Sequence, residues 1–213
     1  MILGIDTSLG SAVAVVELDG VVRSQVESAD PRGHAEVIGS LIEQALAEAS
    51  ASPADITHVA AGMGPGPFTG LRVGLVTAAS MGQALGIPTY GVCSLDALGR
   101  AAGPGRVLVA TDARRREVYF ATYSDGHRTT DPDVARPADV KVDADRAVGE
   151  GALTYSEVFG LPIDEILLYP PGVALVAIAA DRIRAGAPGE RLTPLYLRRP
   201  DAVVPASRKP ALQ

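Results

Sequence analysis

The chain has 213 residues, of which 47% are hydrophobic and 21% charged, with a formal net charge of -6. At about 150 residues to a typical domain it forms one large domain or two small ones, with enough apolar side chain for a sizeable core, and its acidity disfavours a self-sufficient nucleic-acid binder. No apolar run approaches the roughly 18 residues that cross a bilayer, and Met1-Ile2-Leu3 enters an apolar stretch with no basic segment before it, so neither a membrane protein nor a secretory signal is expected, and the cytoplasm is the default location.

The first half opens on an apolar run, Ile2 to Ile5, closed by Asp6, with a β-branched stretch from Ala12 to Leu18 and then Asp19-Gly20. Asp-Gly is a strong hairpin signal, so strand, tight turn, strand, hairpin and strand are predicted. Asp30-Pro31 starts a helix over about 34–49, whose stripe Val37, Ile38, Leu41, Ile42, Ala45, Leu46 and Ala49 is too wide for minimal contact with one sheet face. A buried strand over 56–61, a glycine- and proline-rich loop over 62–70 and a helix over about 70–85 capped by Thr69 follow. A strand over 88–92 and a short helix from Ser94 to about Ala101 lead to Gly103-Pro104-Gly105, the best domain boundary in the sequence. Residues 1–103 are therefore read as one lobe and 104–213 as a second.

The second half repeats the first. Val107 to Ala110 is closed by Asp112, Glu117 to Tyr123 is β-branched and aromatic, and Asp125-Gly126 lies 13 positions after Asp112, as Asp19 does after Asp6. Beyond that the copy is eroded. Residues 126–146 are polar and aperiodic, Ala147 to Ala152 resembles a strand end with a glycine turn, and a helix over about 173–185 precedes a tail holding Pro194-Leu195-Tyr196-Leu197-Arg198.

Several features carry chemistry or its absence. The 62–70 loop follows a strand and opens a helix, as phosphate cradles do, but it has no lysine, and Pro65 and Pro67 remove two amide donors. A rigid turn that sets the next helix is the better reading. On that helix Gly70, Gly74, Ala78 and Gly82 recur every four residues, which implies close approach by a neighbour. The neighbour is either the protein's own sheet or another chain, docked on Leu71, Gly74, Leu75, Ala78 and Gly82 together with Val37 and Leu41 of the first helix. Asp6 and Asp112, at the ends of equivalent strands, would face each other across a cleft, where such carboxylates can hold magnesium or orient water. The second turn, Arg114-Arg115-Arg116, has no glycine to admit a phosphate, although an arginine could pair with one. One cysteine, Cys93, excludes an internal disulfide, and His34, His58 and His127 have no metal-binding spacing. His34 reads as a solvent-facing helix start, Cys93 as a small core residue, and Tyr119 and Tyr123, which share strand parity, as sheet packing rather than base-stacking platforms, a role also considered for Tyr155.

The duplicated unit with an aspartate after its first strand resembles the actin, hexokinase and Hsp70 superfamily. More specifically, Ile5-Asp6-Thr7-Ser8, the segment Gly64 to Gly74, Asp112-Ala113-Arg114 with Glu117-Val118-Tyr119, and Pro194 to Arg198 together resemble the bacterial TsaB (YeaZ) family. The resemblance implies a two-lobed α/β fold and a role in making threonylcarbamoyladenosine at position 37 of tRNAs that read codons beginning with A. It implies a non-catalytic subunit that activates a paralogue, TsaD, through a bundle of its first two helices, with the ATPase TsaE and the tRNA joining the assembly. In TsaD a metal-binding His-x-x-x-His follows the corresponding strand; here the matching place reads Ser94-Leu95-Asp96-Ala97-Leu98, so neither ligand is present. No cofactor is expected, any nucleotide being held at the junction with partner subunits; Asp6, Asp112 and Arg114 would be the remnant of a nucleotide cleft. A homodimer of the isolated chain and RNA contacts through Arg72 and Arg198 are left open. An independent ATP-dependent phosphotransferase is the alternative.

Overall fold

The computed structural model describes residues 1–28, 33–141 and 143–198. Its first sheet contains β1 (Ile2–Asp6), β2 (Ser11–Val16), β3 (Val22–Ser28), β4 (His58–Gly62) and β5 (Thr89–Val92), in the order β3-β2-β1-β4-β5. β1 pairs antiparallel with β2 and parallel with β4. The second sheet is built from β6 (Arg106–Asp112), β7 (Val118–Ser124), β8 (His127–Arg128), β9 (Asp133–Ala135), β10 (Arg146–Val148) and β11 (Ile163–Asp164), in the order β11-β10-β6-β7-β8, with β9 also on β7. β6 stands where β1 stands, antiparallel to β7 and parallel to β10. The repeat read from Asp6 and Asp112 is thus a repeat of topology.

Helices α1 (His34–Glu48) and α2 (Phe68–Leu85) cover one face of the first sheet. The last helix, α6 (Gly172–Arg184), returns from the second half to cover the other face. Burial from both sides explains why β1 and β2 read as continuous apolar runs, while the edge strand β3 alternates. α3 (Ser94–Ala102) packs in turn on the second sheet, through Leu95 and Leu98 against Val107, Val109 and Tyr123. The sheets change over near residue 103, but α6 lies across that division. Small residues let it: a Cβ on Gly4 would come within 2.5 Å of Val176 Cγ2.

The second half is abbreviated where the sequence loses its period. Two short helices, α4 (Glu150–Thr154) and α5 (Ser156–Phe159), stand in the place of α2, and the excursion over 126–146 holds β8, β9 and a 3-10 turn at Pro137–Asp139. β11, α4 and α5 are not anticipated by any pattern in the sequence. After α6 the chain becomes a strap. Glu190 N donates to Thr89 O at 2.8 Å on the edge strand β5, and Leu195 N donates to Met63 O at 2.8 Å, so the strap crosses the first lobe toward the second. No helix among the described residues is long and apolar enough to cross a membrane. The Asp30-Pro31 helix start lies outside the described residues, and nothing is described of the His34 side chain.

Candidate functional site

Asp6 and Asp112 do the same local job in the two halves. Asp6 Oδ1 accepts the Ser8 N–H at 2.8 Å, and Asp112 Oδ1 accepts the Arg114 N–H at 3.0 Å, so each aspartate closes the turn after its strand by bonding two residues on. Asp6 is 2% exposed, and its carboxylate also accepts the hydroxyls of Ser8 and Ser94. A Cβ on Gly62 would lie 1.8 Å from Asp6 Oδ2, and one on Gly66 2.4 Å from Ser8 O. Gly62 and Gly66 are therefore required by packing on the β1–β2 turn, whereas Gly64 takes a left-handed φ of 87° against Leu71. A cavity of about 200 Å3 beside Asp6, Gly10 and Ser11 carries a second carboxylate, Glu27, which opposes phosphate. Arg114 lines a different cavity and faces Asp112 at 3.6 Å.

The helix face singled out for docking is seated on the chain's own core. Leu71 and Ala78 are fully buried, Leu75 is buried, and α2 turns Gly70, Gly74 and Gly82 inward. The Thr7 hydroxyl donates to Gly70 O at 2.7 Å and accepts the Gly74 N–H at 2.9 Å, reaching into a helical i,i+4 pair. A Cβ on Gly74 would sit 2.5 Å from that hydroxyl, and one on Gly82 2.5 Å from Thr89 Cγ2. The docking assignment of Leu71, Gly74, Leu75, Ala78 and Gly82 is corrected accordingly: close approach is made by β1, β4 and the start of β5. The wide stripe of α1 is likewise consumed, with Leu41 buried in the cluster that also holds residues of β2, β3 and α2, and only Val37 half-buried.

The open surface of α2 is its outward row, which no sequence motif marks. Phe68 and Val76 are 48% and 63% exposed, Arg72 between them is also exposed, and they border a shallow groove shared with Ala35 and Ile38 of α1. Their i, i+4, i+8 spacing opposite a glycine row was the available signal. At the start of α2 the strap meets the same residues. The Phe68 and Tyr196 rings stack at 5.2 Å, the Arg72 guanidinium lies 3.7 Å from the Phe68 centroid, and Arg72 Nε donates to the Tyr196 hydroxyl at 2.9 Å. Arg198 pairs with Glu117 and donates to Arg114 O.

The remaining candidates are structural. Burial and the nearby Asp96 carboxylate push the Cys93 thiol up to about 12, which removes it as a nucleophile at neutral pH. Ser94 is spent on Asp6, and the Tyr123 hydroxyl donates to Asp96 at 2.7 Å. Burial lifts the Asp96 carboxyl above its ordinary range. Tyr119 and Tyr123 fill the core beneath α3, as their parity suggests, and Tyr155 packs against the core around Leu108. Among the described residues no three His, Cys, Asp or Glu side chains group to hold a metal.

The family model described as TsaD, tRNA N6-adenosine threonylcarbamoyltransferase, matches residues 20–184. The structure of YeaZ from Pseudomonas aeruginosa superposes with a TM-score of 0.80 at 27% identity, covering 92% of this chain and 99% of that one. The chain belongs to the TsaB (YeaZ) family. The Escherichia coli tRNA threonylcarbamoyladenosine biosynthesis protein TsaB is 36% identical over 126 residues, 57% of this chain and 54% of its own. An uncharacterized Mycobacterium tuberculosis protein is 47% identical over 204 residues, 94% of this chain and 93% of its own. The two helix-flanked sheets match those of YeaZ and the actin-like two-lobed fold.

Proposed function

We propose that this chain is a non-catalytic subunit in tRNA threonylcarbamoyladenosine synthesis, working in the cytoplasm as the activator of a TsaD-type transferase. The observation that carries the reading is the open apolar groove between α1 and α2, with Val76 63% exposed at its edge, on a molecule whose inherited aspartates are occupied as turn locks. An unpartnered groove on two rigid helices is suited to a protein partner. The occupant we assign is the paralogue. The TsaD model aligns with residues 20–184, which include both helices, so the partner carries an equivalent pair that can meet these as like surfaces. In its absence a second copy of this chain would cover the same groove. A TsaE-type ATPase and the tRNA join through the complex, and any nucleotide is held at the junction rather than by this chain alone.

Val76→Arg tests this. An arginine on the rim keeps the monomer folded, because Val76 is solvent-exposed, but would have to be desolvated in the helix contact. Co-purification with the transferase should fall by at least about tenfold, a loss of about 1.4 kcal/mol, and reconstituted tRNA modification should fall with it. Wild-type recovery of the complex, or full modification without this chain, would refute the proposal. ATP turnover by the isolated chain would favour the phosphotransferase alternative instead.

A further inference from the structure

We propose that the cavity where the strap, the start of α2 and the β6–β7 turn converge is a subsite for an unpaired nucleotide of single-stranded RNA. The cavity measures about 350 Å3 and is bounded by Phe68, Arg114, Tyr119, Tyr196 and Arg198, within the usual size range of small-ligand sites. Tyr196 remains 39% exposed although Phe68 stacks on it, and because the Arg72 guanidinium already lies 3.7 Å over the Phe68 ring, Tyr196 is the ring that a base can join. Charge supplies the second half of a nucleotide site. Arg114 and Arg198 line the cavity, Arg72 reaches Tyr196 from the neighbouring groove, and Arg115 and Arg116 follow Arg114 on the exposed turn, against three nearby carboxylates, Asp112, Glu117 and Glu150.

Two backbone features point the same way. The 18-residue helix α2 opens on this cavity with no side-chain cap and no acidic residue in its first turn, leaving its positive end available to a phosphate. Arg114, Arg115 and Arg116 all have left-handed φ, at 60°, 55° and 60°. Three consecutive non-glycine residues in that region are costly, and such conformations cluster where side chains must be aimed at a ligand. RNA fits better than a free nucleoside triphosphate. The Arg72, Arg114 and Arg198 guanidinium groups are held by three separate partners, Tyr196, Asp112 and Glu117, and Pro65 and Pro67 deprive the adjoining loop of the amides that would wrap a triphosphate. The net charge of -6 is met by this local concentration of cations: the chain would add one gripping point to an RNA held chiefly by its partner.

The inference rests on the proposed role in tRNA modification, so the test separates the two. The full-length chain, alone and assembled with the transferase, is titrated with a fluorescein-labelled anticodon stem-loop RNA, with co-purification measured in parallel. Tyr196→Ala should weaken RNA binding by the complex about tenfold, and Tyr196→Phe, which keeps the ring, should not. Arg116→Glu lies on an exposed turn and tests the charge independently of the ring; it should weaken binding and flatten the log–log salt dependence by about one unit. The subsite is refuted if Tyr196→Ala and Arg116→Glu co-purify normally and bind RNA as the wild type does, or if Tyr196→Ala lowers affinity for ATP while leaving RNA untouched. If the wild-type chain fails to assemble with the transferase, the functional proposal falls, and the titrations of the isolated chain judge the subsite alone.

Discussion

At the scale of single residues, the molecule holds strain and charge in the β6–β7 turn. Each left-handed arginine there costs about 1 kcal/mol or more, whereas glycine adopts that conformation freely and gives back part of the gain as unfolded-state entropy. Arg116→Gly should therefore leave stability unchanged or raise it by up to about 1 kcal/mol in urea unfolding; a clear loss would mean that the arginine is held there by contacts that outweigh the strain. Glu150, just across from this turn, supplies a pH test. Burial, and secondly the Asp112 carboxylate, raise its carboxyl above the ordinary value of 4.5. The folded state thus binds this proton more tightly than the unfolded chain, so the contribution is full below about 4.5 and is lost as pH rises through the elevated value. Glu150→Gln should make the urea midpoint less sensitive to pH above 4.5 and raise stability at neutral pH, by less than about 1 kcal/mol because the group is only half-buried. An unaltered pH profile would contradict the assignment.

At the scale of elements, α2 is positioned by a polar peg in an apolar seat. The Thr7 hydroxyl fits only because residue 74 has no side chain. Gly74→Ala gains about 1 kcal/mol of helix propensity but crowds Thr7, and crowding a packed core costs about 1–3 kcal/mol, with the threonine's hydrogen bonds also at risk. Net destabilisation of about 1–2 kcal/mol is expected by denaturant titration, and a stabilised variant would show that the seat can yield. The four-residue glycine row was legible in the sequence as a demand for close approach, but not which body makes it, because periodicity along one helix carries no record of what lies opposite. The strands around Asp6 and Asp112 were legible for the opposite reason: an apolar run, an aspartate and an Asp-Gly hairpin are each determined within a few residues. β11, α4 and α5 were not, being too short to show a period and held by contacts distant in sequence. The strap was visible only as a motif at 194–198; that Tyr196 stacks on Phe68 could not be read across 128 positions.

At the scale of the whole molecule, the two sheets trade their covering helices: α3 from the first half lies on the second sheet, and α6 from the second half lies on the first. Residues 1–103 alone would leave Ile2, Ala14, Val16 and Val92 without the layer formed by Leu175, Val176 and Ala179. Burying side chains of that size contributes about 1.5–3 kcal/mol each for the valines, leucine and isoleucine, a large share of the 5–15 kcal/mol that holds a typical domain together. The isolated 1–103 fragment should therefore aggregate or show no cooperative unfolding, and a monomeric, cooperatively melting fragment would show that the exchange is dispensable.

The late position of α6 also bears on synthesis. A ribosome delivers the first sheet long before residues 172–184 emerge, so for several seconds at about 5–20 residues per second the nascent chain exposes a greasy underside. Chaperone engagement during translation is the natural way through that interval, which closes only when α6 arrives to cover the sheet.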